Sequence, residues 1–293
     1  MAQAPSPASR RVPTGAPRLQ IPDDGLPGAS IELEYELVGN GPALVWLHGL
    51  SGSLAESRLL CAELAKSHTV LSYSTRGHGW SDPVLERSRY RYAVIAADLE
   101  HVLRAIAIEH PAFERPIIAG GSHGANTAMR HAIDFPGRGA GLILLAPGAN
   151  ALRRPRRPQW WLVRGQLALA DLRSGEDGLI RAITGQDVDD PGHDVEAVAA
   201  ARTHDFASLR AAMRHVADQC VVSRAELASL QLPVVVAGWA RDPLIHPIAV
   251  ARDIAATIPG AQFHEMPRPH GLQAREQARI AAQLIESWAV NLL

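Results

Sequence analysis

The sequence predicts an α/β protein built on a mostly parallel sheet with helices on both faces. Two observations carry this. Strand-like and helix-like segments alternate from about residue 31 to the C-terminus, the signature of βα units. Several strand segments are continuous apolar runs rather than alternating ones, as expected where both faces of a sheet are covered.

The elements follow in order. Residues 1–28 are rich in Pro, Ala, Ser and Gly and read as a flexible arm. Ile31 to Leu37 alternates apolar and acidic residues, the period of a half-exposed strand. Asn40-Gly41 marks a turn. Ala43 to Leu47 is a buried strand ending in His48-Gly49. A helix is expected over about 55–66, a strand over 69–73, then a Gly-rich turn, Arg76-Gly77-His78-Gly79-Trp80-Ser81-Asp82. Residues 90–109 carry apolar positions at helical spacing. Pro116 to Ala119 is a strand leading into Gly120-Gly121-Ser122-His123-Gly124, followed by a helix to about Asp134 and a strand over 141–146. From 150 to 223 the rhythm becomes irregular and helix-leaning, like an insertion between two βα units. Alternation then resumes: strand 232–237, helix 248–258, strand 262–266 and a terminal helix 273–290.

The chain has 293 residues, 29 Lys plus Arg against 30 Asp plus Glu, and a net charge of −1. A nucleic-acid binder would usually carry a basic excess. The two cysteines, Cys61 and Cys220, fit no metal-ligand spacing. The histidines show no HExxH-like pattern, so no metal is expected. No apolar run reaches membrane-spanning length and no signal-peptide core is present. The expectation is a cytoplasmic protein acting on a small molecule, without membrane or nucleic-acid partners and without a cofactor. The sequence leaves the oligomeric state open.

Chemistry concentrates at Gly120–Gly124, which matches G-x-S-x-G between a predicted strand and a predicted helix. Small residues allow a turn sharp enough to lift the Ser122 hydroxyl above the sheet. A serine nucleophile needs a base, and the base an orienting acid. Asp242 follows one predicted strand and His270 the next, giving the order Ser, acid, His expected for this turn. All three fall at carboxyl ends of strands, where open α/β sheets place their sites. The backbone N–H groups of Leu50 and His123 are candidates for an oxyanion hole. His48, Gly49, Trp160, Trp161 and Trp239 are candidates for the substrate pocket.

With these motifs the chain resembles the α/β-hydrolase superfamily, specifically its capped, single-domain serine hydrolase type. The resemblance rests on Leu47-His48-Gly49, the Arg76–Asp82 turn, Gly120–Gly124, the Asp242 turn and His270. It implies an eight-stranded, mostly parallel α/β-hydrolase sheet, formed by 29–149 and 224–293, with a helical cap over 150–223. It implies a Ser122–Asp242–His270 triad that cleaves an ester, thioester or lactone through an acyl-enzyme. Serine rather than aspartate at the nucleophile position argues against a haloalkane dehalogenase or epoxide hydrolase. The same triad is compatible with C–C bond hydrolysis, aminopeptidase work or perhydrolysis. A ligand-binding protein without turnover is the alternative of another class. For aminopeptidase work, Glu176, Asp177 and Asp194 are the acidic residues available to bind an α-ammonium.

Overall fold

The computed structural model describes the chain except residues 1–16, 153–156, 217, 240–244, 267–273, 291 and 293. The elements, in order, are β1 (Arg18–Pro22), β2 (Ser30–Val38), β3 (Ala43–Leu47), α1 (Leu54–Leu64), β4 (Thr69–Tyr73), α2 (Tyr92–Ala107), β5 (Ile117–Gly121), α3 (His123–Asp134) and β6 (Gly141–Leu145). They continue with α4 (Arg157–Thr184), α5 (Val195–Ala201), α6 (Phe206–Val216), α7 (Arg224–Ala228), β7 (Val234–Trp239), α8 (Ile248–Thr257), β8 (Gln262–Met266) and α9 (Ala274–Ala289).

The strands form one eight-stranded sheet in the order β1-β2-β4-β3-β5-β6-β7-β8. The β1–β2 and β2–β4 pairs are antiparallel, and the rest are parallel. This is the sheet the sequence predicts. β3, β5 and β6 lie fully inside, so their residues are apolar or small at every position. One face packs on α2, α3 and α8 through Leu99, Val102, Ala128, Met129 and Ile254. The other packs on α1 and α9 through Leu60, Leu64, Ala282, Ile285 and Trp288. Among the described residues no helix is long and apolar enough to cross a membrane.

Two expectations change. Part of the expected flexible arm is structured: Arg18–Pro22 pairs with Ser30–Glu34, and Ile21 is 2% exposed. Pairing to a strand already fixed in the sheet supplies hydrogen bonds that composition does not signal. The half-exposed reading of β2 also fails at Glu34, which is buried. Its carboxylate accepts from the Trp80 N–H at 2.9 Å and from the Ser74 hydroxyl, tying the Gly-rich turn to the sheet.

The segment between β6 and β7 carries α4 to α7, and α4 to α6 enclose a small core of their own, built from Leu179, Ile180, Val198, Phe206 and Leu209. Gly175 breaks α4 with φ +57°, a conformation glycine adopts without steric cost. Fixed polar contacts join this insertion to the sheet domain. Ser208 Oγ accepts from the Val84 N–H at 3.0 Å, and the Tyr90 hydroxyl, 2.7 Å from the Val84 carbonyl, is 3.2 Å from that of Ser208.

Arg76 anchors the Gly-rich turn. Its guanidinium is fully buried and grips Asp98 of α2 through two bonds of 2.7 and 2.6 Å. A third bond of 2.9 Å reaches Asp23, just after β1. Removing one member of a buried ion cluster strands the other charges, at a cost of about 3–5 kcal/mol. Arg76→Ala should therefore lower stability by about that amount in urea unfolding. Arg224→Ala, which breaks the solvent-exposed pair with Asp253, should leave the midpoint almost unchanged.

Candidate active site

The site lies where strand order reverses. The chain runs β3, then β4 on one side, then crosses to β5 on the other, so the loops after β3 and β5 diverge and leave a crevice between them. Ser122 stands at the end of β5 with φ +53° and ψ −110°. A non-glycine residue there costs on the order of 1–3 kcal/mol. Two bonds hold it: the Ser122 N–H donates to the Leu145 carbonyl at 2.8 Å, and the Asn126 N–H donates to the Ser122 carbonyl at 3.1 Å. A Cβ on Gly124 would meet the Leu47 carbonyl oxygen at 2.1 Å, and one on Gly120 would meet the Gly124 carbonyl carbon at 2.5 Å. Both flanking glycines are thus required by close backbone approach.

The turn after β3 faces Ser122. The Gly49 carbonyl accepts from the Gly52 N–H at 2.9 Å and lies 2.7 Å from His48 Nδ1. In a trans peptide the carbonyl and the next N–H point opposite ways. Holding the Gly49 carbonyl therefore turns the Leu50 N–H away from these partners. Neither the Leu50 nor the His123 N–H donates to another described group, and both residues line one cavity of about 70 Å³ with Ser122. The helix N-terminus at His123 adds favourable potential for negative charge.

Buried imidazoles brace this turn from behind. His48 Nε2 accepts from the Thr75 N–H at 3.0 Å, so His48 donates through Nδ1. His78 Nε2 lies 2.8 Å from the Leu50 carbonyl. His204, between α5 and α6, accepts from the Gly79 N–H at 3.3 Å and donates to the Ser51 carbonyl at 3.0 Å. His48 is 1% exposed and does not line the cavity. Its expected place in the substrate pocket is replaced by a role in orienting the turn. Gly49 does approach: a Cβ there would lie 3.8 Å from Ser122 Cβ.

His246, on the loop before α8, places Nε2 2.8 Å from Ser122 Oγ. The backbone beside it is fixed by the Ala149 N–H donating to the Ile245 carbonyl at 2.8 Å. Trp239, at the end of β7, sets its ring edge-on to His246, with centroids 6.0 Å apart. The sequence reading overlooked His246, although it lies four residues beyond Asp242. Asp242 and His270 lie outside the described residues, as do the side chains of Trp160 and Trp161. His123 is buried, and its Nδ1 is 3.0 Å from the Tyr92 hydroxyl. Among the described residues no cluster of three or more His, Cys, Asp or Glu is placed to hold a metal ion.

Burial pushes His48, His78 and His123 below the usual imidazole value of 6.5, His123 to about 3, with neighbouring imidazoles adding to the effect on His48 and His123. All three are neutral in the fold at pH 7 and regain ordinary values when it unfolds. The unfolded chain then binds more protons below pH 6.5, so stability present above that pH is lost as pH falls through it. Urea midpoints should drop between about pH 7.5 and 5, the three histidines outweighing the opposite contribution of Glu56, whose carboxyl is pushed up to about 7 by burial. His123→Gln should make that drop shallower.

Residues 42–175 match the sequence model of a family described as alpha/beta hydrolase fold. An uncharacterized protein of Mycobacterium tuberculosis is 32% identical over 114 residues, 39% of this chain and 31% of the relative. A fluoroacetate dehalogenase from a Burkholderia species is 31% identical over 101 residues, 33% of this chain and 32% of the relative. The chain thus spans about a third of the length of these curated relatives. Among solved structures, a thermophilic esterase from Thermogutta terrifontis superposes with a TM-score of 0.73 at 23% identity, covering 94% of this chain and 99% of that one.

Proposed function

Taking as premise that this chain has the α/β-hydrolase fold, we propose that it is a serine hydrolase acting on an ester, thioester or lactone. The observation that carries the reading is the setting of Ser122. Its strained backbone presents the hydroxyl to an imidazole at 2.8 Å, in a cavity shared with the open N–H groups of Leu50 and His123. That arrangement supplies a nucleophile, a proton acceptor and donors for a developing oxyanion.

In this mechanism Ser122 Oγ attacks the carbonyl carbon as an imidazole takes its proton. The Leu50 and His123 N–H groups hold the tetrahedral oxyanion, and one such donor is worth about 10²–10³-fold in kcat. The imidazolium then protonates the departing alcohol or thiol, and water activated by the same base releases the acid and restores Ser122. Sequence order assigns the acid and base to Asp242 and His270. Among the described residues the imidazole at hydrogen-bond distance from Ser122 is His246, which makes it a second candidate for the base. The insertion between β6 and β7 would act as a cap that sets acyl specificity.

Acid placement favours ester over aminopeptide cleavage. Asp177 pairs with Arg202 at 2.8 Å. Asp194 accepts from the Ala197 N–H at 3.1 Å and the Ala274 N–H at 2.9 Å. Neither of these residues, nor Glu176, lines the Ser122 cavity, so none is placed there to receive an α-ammonium.

A fluorophosphonate probe should label the wild type and not Ser122→Ala, whose ester turnover should fall by about 10⁴-fold or more. Of His246→Ala and His270→Ala, the variant lacking the base should fall comparably. A folded wild type that is neither labelled nor active on esters would favour a binding protein. Turnover undiminished in Ser122→Ala would remove the reading altogether.

A further inference from the structure

The turn that carries Leu50 presents three consecutive carbonyls, and each meets a different imidazole. The Gly49 carbonyl lies 2.7 Å from His48 Nδ1, the Leu50 carbonyl 2.8 Å from His78 Nε2 and the Ser51 carbonyl 3.0 Å from His204 Nε2. His48 and His78 belong to the sheet domain. His204 belongs to the insertion, between α5 and α6.

The bonds of the His204 ring fix its tautomer. Nδ1 accepts from the Gly79 N–H at 3.3 Å, so the proton sits on Nε2 and is donated to Ser51. His204 is buried and stands edge-on to His78, with centroids 5.8 Å apart. Beside it the Thr203 hydroxyl lies 3.4 Å from that of Ser53, the N-cap of α1. The insertion also meets the site beneath Ser122, where Asn150 Nδ2 donates to the Val216 carbonyl and Asn126 Nδ2 to Asn150 Oδ1, both at 3.0 Å. That contact does not touch the carbonyls of the Leu50 turn.

Two rigid peptide planes connect His204 to the Leu50 N–H. The Ser51 carbonyl and the Gly52 N–H share one plane, and the Gly49 carbonyl and the Leu50 N–H share another. A single hydrogen bond joins the planes, since the Gly52 N–H donates to the Gly49 carbonyl at 2.9 Å. Holding the Ser51 carbonyl therefore aims the Gly52 N–H at Gly49, and that bond in turn sets the direction of the Leu50 N–H.

We propose that His204 is a positioning residue for the oxyanion hole, through which the insertion aims the Leu50 N–H. It acts through the two planes rather than on the substrate. The inference rests on the reading of Ser122 as nucleophile and the Leu50 N–H as oxyanion donor. Removing one such donor outright costs about 10²–10³-fold in kcat. Loss of His204 leaves the donor in place but less well aimed, so its cost is smaller.

The test compares phenyl acetate with its thionoester, in which sulfur replaces the carbonyl oxygen, on the full chain. Sulfur is a weak acceptor, so the thionoester gains little from oxyanion donors and loses little when they are misaimed. His204→Asn keeps an acceptor for Gly79 but is too short to reach Ser51, and His204→Leu keeps bulk without polar atoms. His204→Gln is long enough to restore the donor. In the Asn and Leu variants kcat on phenyl acetate should fall about 10–100-fold, with KM within about threefold of wild type. The ratio of ester to thionoester rates should fall with it, and the Gln variant should stay close to wild type in both. Equal falls on the two substrates would mark a merely structural role and overturn the inference. So would wild-type kcat in a folded Asn or Leu variant. Both lack the Ser51 donor, so whichever folds, as judged by its urea midpoint, decides. Wild-type turnover that is lost in Ser122→Ala leaves the serine hydrolase reading standing in either case. A wild type that is inactive and unlabelled by fluorophosphonate would overturn both.

Discussion

The backbone of α3 packs against the end of β3 so closely that no side chain fits between them. The Leu47 carbonyl occupies the space a Cβ on Gly124 would need, and Gly124 in turn fills that of Gly120. This contact forces the chain to reverse within a residue or two after β5, and Ser122 takes the strained conformation at the bend. The loops after β3 and β5 thereby come face to face, bringing the Leu50 N–H and the Ser122 hydroxyl to one cavity. Loosening the approach would relax Ser122, and it would equally remove the wall opposite it.

A strained turn needs rigid support, and the support here is mostly neutral. His48 and His78 sit behind the Leu50 turn, where they bond to backbone groups rather than to solvent. Buried imidazoles suit this work because each offers one donor and one acceptor in a rigid ring. His204 adds the insertion to the same scheme, since it joins the Ser51 carbonyl and the Gly79 N–H. Movement of the insertion would be felt directly by the turn that carries Leu50. Arg76 secures the base of the Gly-rich turn through charge instead, and its three bonds cross from the N-terminal hairpin to α2.

Much of this was legible in the chain itself. β4 and β8 fall on the expected residues, and the G-x-S-x-G turn lies between the strand and helix it requires. These features are local: periodicity, apolar runs and small residues at a sharp bend all sit within a few positions. What escaped was long-range. β1 has only five residues and is stabilised by its partner strand, not by its own composition. His246 is 124 residues from Ser122, and no spacing rule connects them. The Asn126–Asn150 pair looks like ordinary helix and loop asparagines until the fold closes over it.

The site therefore divides by physical origin. The frame around Ser122 is a backbone arrangement, fixed by glycines and carbonyls. The side chains beneath it are those that this frame leaves room for. Gly148 is the point of contact between the two: lacking a side chain, it lets Asn126 and Asn150 meet beneath Ser122. A larger residue there would leave the sheet and the bend intact while it pushed the two carboxamides apart. The side chains beneath Ser122 are thus not the groups that strain its backbone.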